Sequence, residues 1–202
     1  MKQLLLFLAL LPLSAFCQVF PPVSTPSGWR WEVKAGIGAA GTNYETGFYP
    51  APFIGLGSGY YFSKSRLGLH AGIGYEQHHS SEEFGLSRTK QLPYLVFPVF
   101  LRTGPSTSRL HFLLGAFYAR SPVTPAITPT TYAWHFNPQE WGGLTGLEVR
   151  LHRTPRLELT LAASARFGFS PMFQADNPRY FNEAARSRLF AFTASTYFFS
   201  SK

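Results

Sequence analysis

The sequence predicts an all-β protein, an eight-stranded antiparallel up-and-down barrel that crosses a membrane. Three observations carry that expectation. Segments of about ten residues alternate apolar and polar side chains with a period of two. The connections between them alternate long and short. Where a segment carries charge, the charge lies on one face only, opposite a continuous apolar face.

The first strand, about Trp29 to Ala39, sets the pattern. Trp29, Trp31, Val33, Ala35 and Ile37 share one face, and Arg30, Glu32, Lys34, Gly36 and Gly38 share the other. An extended chain sends successive side chains to opposite sides, so every ionised group here leaves by one face. A loop with Asn43, Gly47, Pro50 and Pro52 leads to strand two, about Phe53 to Phe62, where Ile54, Leu56, Tyr60 and Phe62 stand against Gly55, Gly57 and Gly59. SKSR is a tight turn. Strand three, Leu67 to Tyr75, sets Leu67, Leu69, Ala71, Ile73 and Tyr75 against Gly68, His70, Gly72 and Gly74, with Glu76 one step on.

A polar loop, about Gln77 to Thr89, precedes strand four, Gln91 to Arg102. TGPSTSR turns the chain into strand five, Leu110 to Ala119, and a Pro/Thr-rich loop runs from Arg120 to about Gln139. Strand six is about Trp141 to Leu151, HRTPR is the turn, strand seven is Leu157 to Gly168, and a loop from Phe169 to Ser187 feeds strand eight, Leu189 to Phe199. Strand four is nearly apolar on the face in phase with Arg102 (Tyr94, Val96, Pro98, Phe100), and Pro98 interrupts a ladder. Strand eight is apolar on both faces, so its phase stays open.

Composition suits this architecture. Aromatic residues make up 17% of the 202 residues, charged ones only 14%, and there are 18 glycines, a balance unlike a secreted soluble domain. No segment after the first residues is long and apolar enough for a transmembrane helix. Residues 1–17 read as a signal peptide: Lys2, an apolar run from Leu4 to Leu13, and small Ala15 and Cys17 before Gln18. Bulky Phe16 argues against acylation of Cys17. Residues 18–28 form a Pro/Ser-rich periplasmic arm, and 29–202 the barrel. Cleavage after Cys17 removes the single cysteine, so no disulfide holds the fold.

The formal charge of +8 falls to +7 once Lys2 leaves with the signal. No nucleic-acid motif accompanies it, and no nucleic-acid partner is expected. The short turns carry Lys64, Arg66, Arg102, Arg109, Arg153 and Arg156 and no acid, which suits an anionic phospholipid leaflet.

Arg or Lys at mid-depth in lipid costs about 2–4 kcal/mol, which directs the charged faces inward. The expected lumen network is Arg30, Lys34, Arg150 and Arg166 against Glu32, Glu76, Glu148 and Glu158, with His70 and His111 as interior histidines. Buried charges must pair, and equal numbers fit a side-chain-filled, salt-bridged barrel.

His78, His79, Ser80, Ser81, Glu82 and Glu83 form the one cluster of catalytic or ligand type, expected in a solvated loop. The spacings His78-x-Ser80 and His79-x-Ser81 resemble those of lipid A deacylase barrels, although a triad needs a third, orienting group. There is no P-loop, dinucleotide fingerprint or CxxC pattern, so no cofactor and no metal is expected. Tyr132, Trp134 and Phe136 alternate before strand six, either extending it or joining an aromatic girdle, and are the candidates for a sticky outer surface.

Strands four to seven resemble the PorT-like outer-membrane β-barrel family of Bacteroidetes. LPYLVFPVFLR carries Tyr94, Pro98 and Arg102 in that family's pattern, with Val96 where an acid is usual. LHFLLGAFYAR, with Gly115 near its middle, WGGLTGLEVRL and LELTLAASARFGF follow in kind. The resemblance implies an outer-membrane barrel without an assigned activity, some relatives assisting secretion systems. It transfers no catalytic residues. The expectation is therefore a monomeric, non-enzymatic barrel in a bacterial outer membrane, contacting its lipids and, through its loops, an extracellular or envelope protein. The alternatives are a lipid-modifying enzyme at the barrel rim and a soluble lipocalin-like binder.

Overall fold

The structure, a computed structural model, describes residues 28–42, 49–62, 67–80, 90–104, 108–123, 134–175 and 184–199. The signal peptide, all but the last residue of the periplasmic arm, and the turn residues Lys64 and Arg66 lie outside them. So do Ser81, Glu82, Glu83 and Tyr132.

Eleven strands occur among the described residues: β1 (Gly28–Thr42), β2 (Tyr49–Tyr61), β3 (Leu67–Ser80), β4 (Lys90–Thr103), β5 (Leu110–Arg120), β6 (Trp134–Phe136), β7 (Gln139–Arg153), β8 (Leu157–Gly168), β9 (Phe173–Ala175), β10 (Ala184–Ala185) and β11 (Ser187–Phe199). Eight of them close a barrel in the order β1-β11-β8-β7-β5-β4-β3-β2, every pair antiparallel. β1 pairs with β11, so no barrel edge is left open. The remaining three form a small sheet, β10-β9-β6, built from the two longest connections. Both ends of the barrel's chain and its short turns lie at one end, the periplasmic end of an outer-membrane barrel.

The barrel is inside out relative to a soluble one. Phe192 leaves 70% of its surface exposed, whereas Glu158 on the adjoining β8 leaves none. Trp31, Ile37, Leu56, Leu69, Leu114, Leu147 and Leu161 are exposed with Phe192, while Arg30, Glu76, Arg102, Glu148 and Arg166 are buried. Water would strongly oppose that arrangement, and hydrocarbon requires it. Aromatic rings mark both ends of the apolar band. Trp29, Tyr60 and Phe62 meet edge to face at the periplasmic end, and Trp141 meets Phe169 at the other. A lipocalin-like soluble barrel, with charge outside, is a different object.

Several strands run further than the alternation suggests. β2 includes Pro50 and Pro52, and β3 continues through His78, His79 and Ser80, so the first two outer connections are short. Proline is tolerated in β2 because pairing with β3 begins only at Phe53↔Glu76; before that point β2 is bonded to β1 alone. In β4, the ladder to β3 runs from Leu67↔Thr103 to Ala71↔Val99 and resumes in the same register at Gly74↔Val96. The gap falls opposite Pro98, which has no N–H to give.

Glycines on the inner face make room for rings. A Cβ on Gly68 would lie 2.7 Å from Cζ of Tyr61, whose hydroxyl belongs to the charge network described below. Gly68→Val is therefore expected to displace Tyr61 and lower stability by about 1–3 kcal/mol, as overpacking does. The midpoint of urea unfolding in vesicles measures it; an unchanged midpoint would mean that this ring is not held where the structure has it.

Candidate functional site

The lumen is the one place where the described residues gather chemistry, and Arg102 is its centre. β4 carries Arg102 inward beside Tyr94, Val96, Pro98 and Phe100, which settles the phase of that strand. Its Nη1 donates to the Tyr61 hydroxyl at 2.5 Å and its Nη2 to Glu158 Oε1 at 2.7 Å; Nη2 also pairs with Glu148. Glu148 Oε2 accepts from Tyr197 at 2.8 Å and from Thr160 at 3.1 Å. Arg30, Arg150 and Arg153 surround Glu158 Oε2 at 3.6, 3.9 and 3.7 Å. His70 stacks on Phe100 and shares a 3.1 Å hydrogen bond with Tyr61. His111 is buried beside this group. Together these residues fill the periplasmic half of the barrel.

Arg153 reaches that group through a β-bulge. The β7–β8 register is Arg150↔Thr160 and then His152↔Leu159, so the phase of β7 shifts at Leu151. Strict alternation from Arg150 would bring His152 inward; the extra residue leaves His152 exposed and turns Arg153 in. Two cations expected in the turns, Arg102 and Arg153, are thus lumen residues, which corrects the cationic turn pattern. Arg156 is exposed there, and Arg109 is half-buried.

Midway lies a cavity of about 50 Å³, lined by Phe53, Phe100, Leu113 and Leu144 with Lys34 and Arg166. That volume is room for a few waters and no larger solute. Lys34 stands 3.9 Å from Glu32 and lies over the rings of Phe53 and Phe100. Glu32 also accepts from Ser195 at 2.9 Å.

The outer half has its own network. Glu76 bridges Arg166 and His78, the latter at 2.6 Å, and Ser187 donates to Glu140. Beside them, cross-strand from Glu76, His78 and Glu140, Leu92, Tyr94, Val96, Phe117 and Ala119 form an apolar layer closed by buried Met172, with Phe136 packed against it. The small sheet therefore caps the mouth.

The expected lumen residues Arg30, Glu32, Lys34, His70, Glu76, His111, Glu148, Arg150, Glu158 and Arg166 all have inward side chains in the structure, buried or, for Lys34, half-buried. The equal tally of four and four needs correction. Arg102, Arg153 and Glu140 are also inside, making six cations and five carboxylates among the described residues. His78 is no loop residue; it is buried on β3, in phase with Glu76. Trp134 and Phe136 do not extend β7. They form β6, paired with β9, and Phe136 turns inward onto the cap instead of outward to a partner. Among the described residues no group of three or more His, Cys, Asp or Glu is placed to hold a metal ion.

A closed barrel with apolar walls outside and ionic groups inside is a transmembrane β-barrel, and its place is the bacterial outer membrane. No family model and no curated protein matches the sequence. Solved structures do match. OprG from Pseudomonas aeruginosa aligns at 10% identity and a TM-score of 0.50, over 88% of this chain and 99% of that one. A major outer membrane protein from Thermus thermophilus aligns at 15% identity and 0.51, over 84% and 99%. The attachment invasion locus protein Ail of Yersinia pestis, in complex with the heparin analogue sucrose octasulfate, aligns at 9% and 0.48, over 86% and 100%. At such identities the likeness is one of fold: a small outer-membrane barrel of eight strands.

Proposed function

We propose that this protein is a non-enzymatic, monomeric outer-membrane barrel of PorT-like type whose body is an anchor and whose capped outer end meets an envelope or extracellular protein. The reading rests above all on the filling of the lumen. Among the described residues the Arg102 network occupies the periplasmic half and the Met172 layer covers the outer mouth, with a small cavity between them. A barrel so filled serves by what it holds in the membrane, and the PorT-like resemblance makes a secretion-accessory role the first to test. Planar-bilayer recordings of the purified protein are expected to show no steady unit conductance. A reproducible ohmic step would overturn the reading and make the lumen a conduit.

A rim enzyme acting on lipid is the second reading. Glu76 orients His78 as a triad acid would, but both are inside the barrel under the cap, away from any acyl chain. The remaining candidates are His79, Ser80 and Ser81. Lipid A that is identical in strains with and without the protein would dispose of this reading; a His79- or Ser80-dependent change in acylation would restore it.

A further inference from the structure

Charge is sorted differently on the two sides of the wall. Every carboxylate among the described residues is buried in the lumen, whereas Arg120, Arg186 and Arg188 are exposed at the outer end of the barrel. Arg188 is the second residue of β11, cross-strand from Phe167 and one pleat above Phe190. Arg186 Nε donates to the carbonyl of Phe169 at 3.1 Å, which holds that side chain beside the Trp141–Phe169 pair. Phe167 and Phe190 also meet edge to face. Aromatic rings of this kind mark the membrane–water boundary. Arg186 and Arg188 therefore stand at headgroup depth, in the leaflet that faces away from the periplasm.

Below these arginines the lipid-facing wall is hollowed. A groove of about 510 Å³ runs along β8, with Ala163 and Ala165 as its floor. Phe190 and Phe192 on β11 rise on one side, and Leu147 on β7 with Phe112 on β5 rise on the other. Ala163 pairs with both Phe192 and Leu147, so the two sides are separated by two strand spacings, about 10 Å between backbones. Once the side chains are in place, that leaves the width of one acyl chain. A second hollow continues the groove toward Ala194 and Ala35 at mid-depth. From Phe190 up to Arg188 is two residues, about 7 Å along the strand, so a lipid with a chain in the groove brings its headgroup to the arginines. The guanidinium fork matches phosphate oxygens in pairs. The outer leaflet of an outer membrane is built of phosphorylated, multiply acylated glycolipid, whereas its anionic phospholipids lie in the other leaflet, at the opposite end of the barrel.

We propose that the outer wall over β8 and β11 is a binding site for the phosphorylated glycolipid of the outer leaflet, one acyl chain lying over Ala163 and Ala165 and a phosphate meeting Arg186 and Arg188. The site needs only the barrel and its orientation. A conducting lumen would leave it standing, and a failed glycolipid titration would leave the anchor reading standing. Purified bis-phosphorylated lipid A is the probe, titrated into the folded protein in non-ionic detergent and counted by native mass spectrometry. One tightly held equivalent is expected. Arg186→Gln with Arg188→Gln is expected to weaken it about tenfold or more. Ala163→Leu with Ala165→Leu, an apolar change on the lipid-facing wall that fills the groove, is expected to weaken it as much. Arg156→Gln, exposed at the periplasmic end, is expected to bind like the native chain. Heat-modified gel migration shows that each variant is folded; if the double glutamine variant is not, Arg188→Gln alone is expected to show the loss. Binding undiminished in either double variant would overturn the proposal, since the site needs both its arginines and its groove. So would an equal loss in Arg156→Gln, which would make the effect one of total charge. Dimyristoyl-phosphatidylglycerol held as tightly as lipid A would make the arginines a general anionic contact and also overturn it.

Discussion

Arg102→Ala is expected to destabilise the barrel by about 3–5 kcal/mol, the range for removing one partner of a buried charge network. Arg102 is 1% exposed and bonds Tyr61, Glu148 and Glu158 from a single guanidinium. Its loss leaves the buried carboxylates Glu148 and Glu158, on the adjoining strands β7 and β8, without the guanidinium that bridges them, and Tyr61 short of a donor. Arg102→Lys is expected to recover little, because an ammonium cannot span three partners in one plane. Removing both sides of the pair is a different matter. Arg102→Leu combined with Glu158→Leu is expected to be milder than Arg102→Ala alone, since no orphaned charge remains on that pair. Urea titration in phospholipid vesicles, followed by tryptophan emission, gives all of these. If Arg102→Ala lay within about 1 kcal/mol of the native chain, the lumen would have to be wet enough to screen its carboxylates.

Phe192→Arg is expected to cost about 2–4 kcal/mol and Phe198→Arg about 0–1 kcal/mol in the same assay. Both side chains are on the outer face of β11, at 70% and 43% exposure. Their difference is depth alone: Phe192 pairs with Ile37 and Ala163 midway along the wall, and Phe198 pairs with Trp31 near the periplasmic end. In water neither change would matter much, and the more exposed position would tolerate arginine better. The order of the two costs therefore reports the solvent around the barrel as well as the fold.

The charged faces were legible because a period of two leaves little choice once an arginine or glutamate is present. β1 needed only Arg30, Glu32 and Lys34 to set its direction. β11 had no such marker: Phe190 and Phe192 face out while Leu189, Ala191 and Tyr197 face in, and hydrophobicity does not separate the two sets. Its phase comes from pairing with β1 and β8, which is non-local. Glu140 and His78 were within reach of the same parity rule, since Glu140 is in phase with Glu148 and His78 with Glu76. Both lie beyond the ten or so residues that a tilted strand needs to cross the bilayer, and the ladders continue above it. Arg153 lay beyond alternation altogether, since a bulge at Leu151 reverses the phase and nothing in HRTPR announces it. Phe136 and Met172 belong to a cap assembled from two loops far apart in the chain, so their burial depends on contacts that no local pattern encodes.

The direction of the side chains decides the whole account, and site-directed fluorescence reads it residue by residue. Single cysteines at positions 190 to 195 carry bimane while brominated lipids quench from the hydrocarbon. The expected profile alternates, with strong quenching at 190, 192 and 194 and weak quenching at 191, 193 and 195. The opposite phase, or a flat profile, would contradict a barrel whose apolar residues face lipid and whose ionised residues face one another.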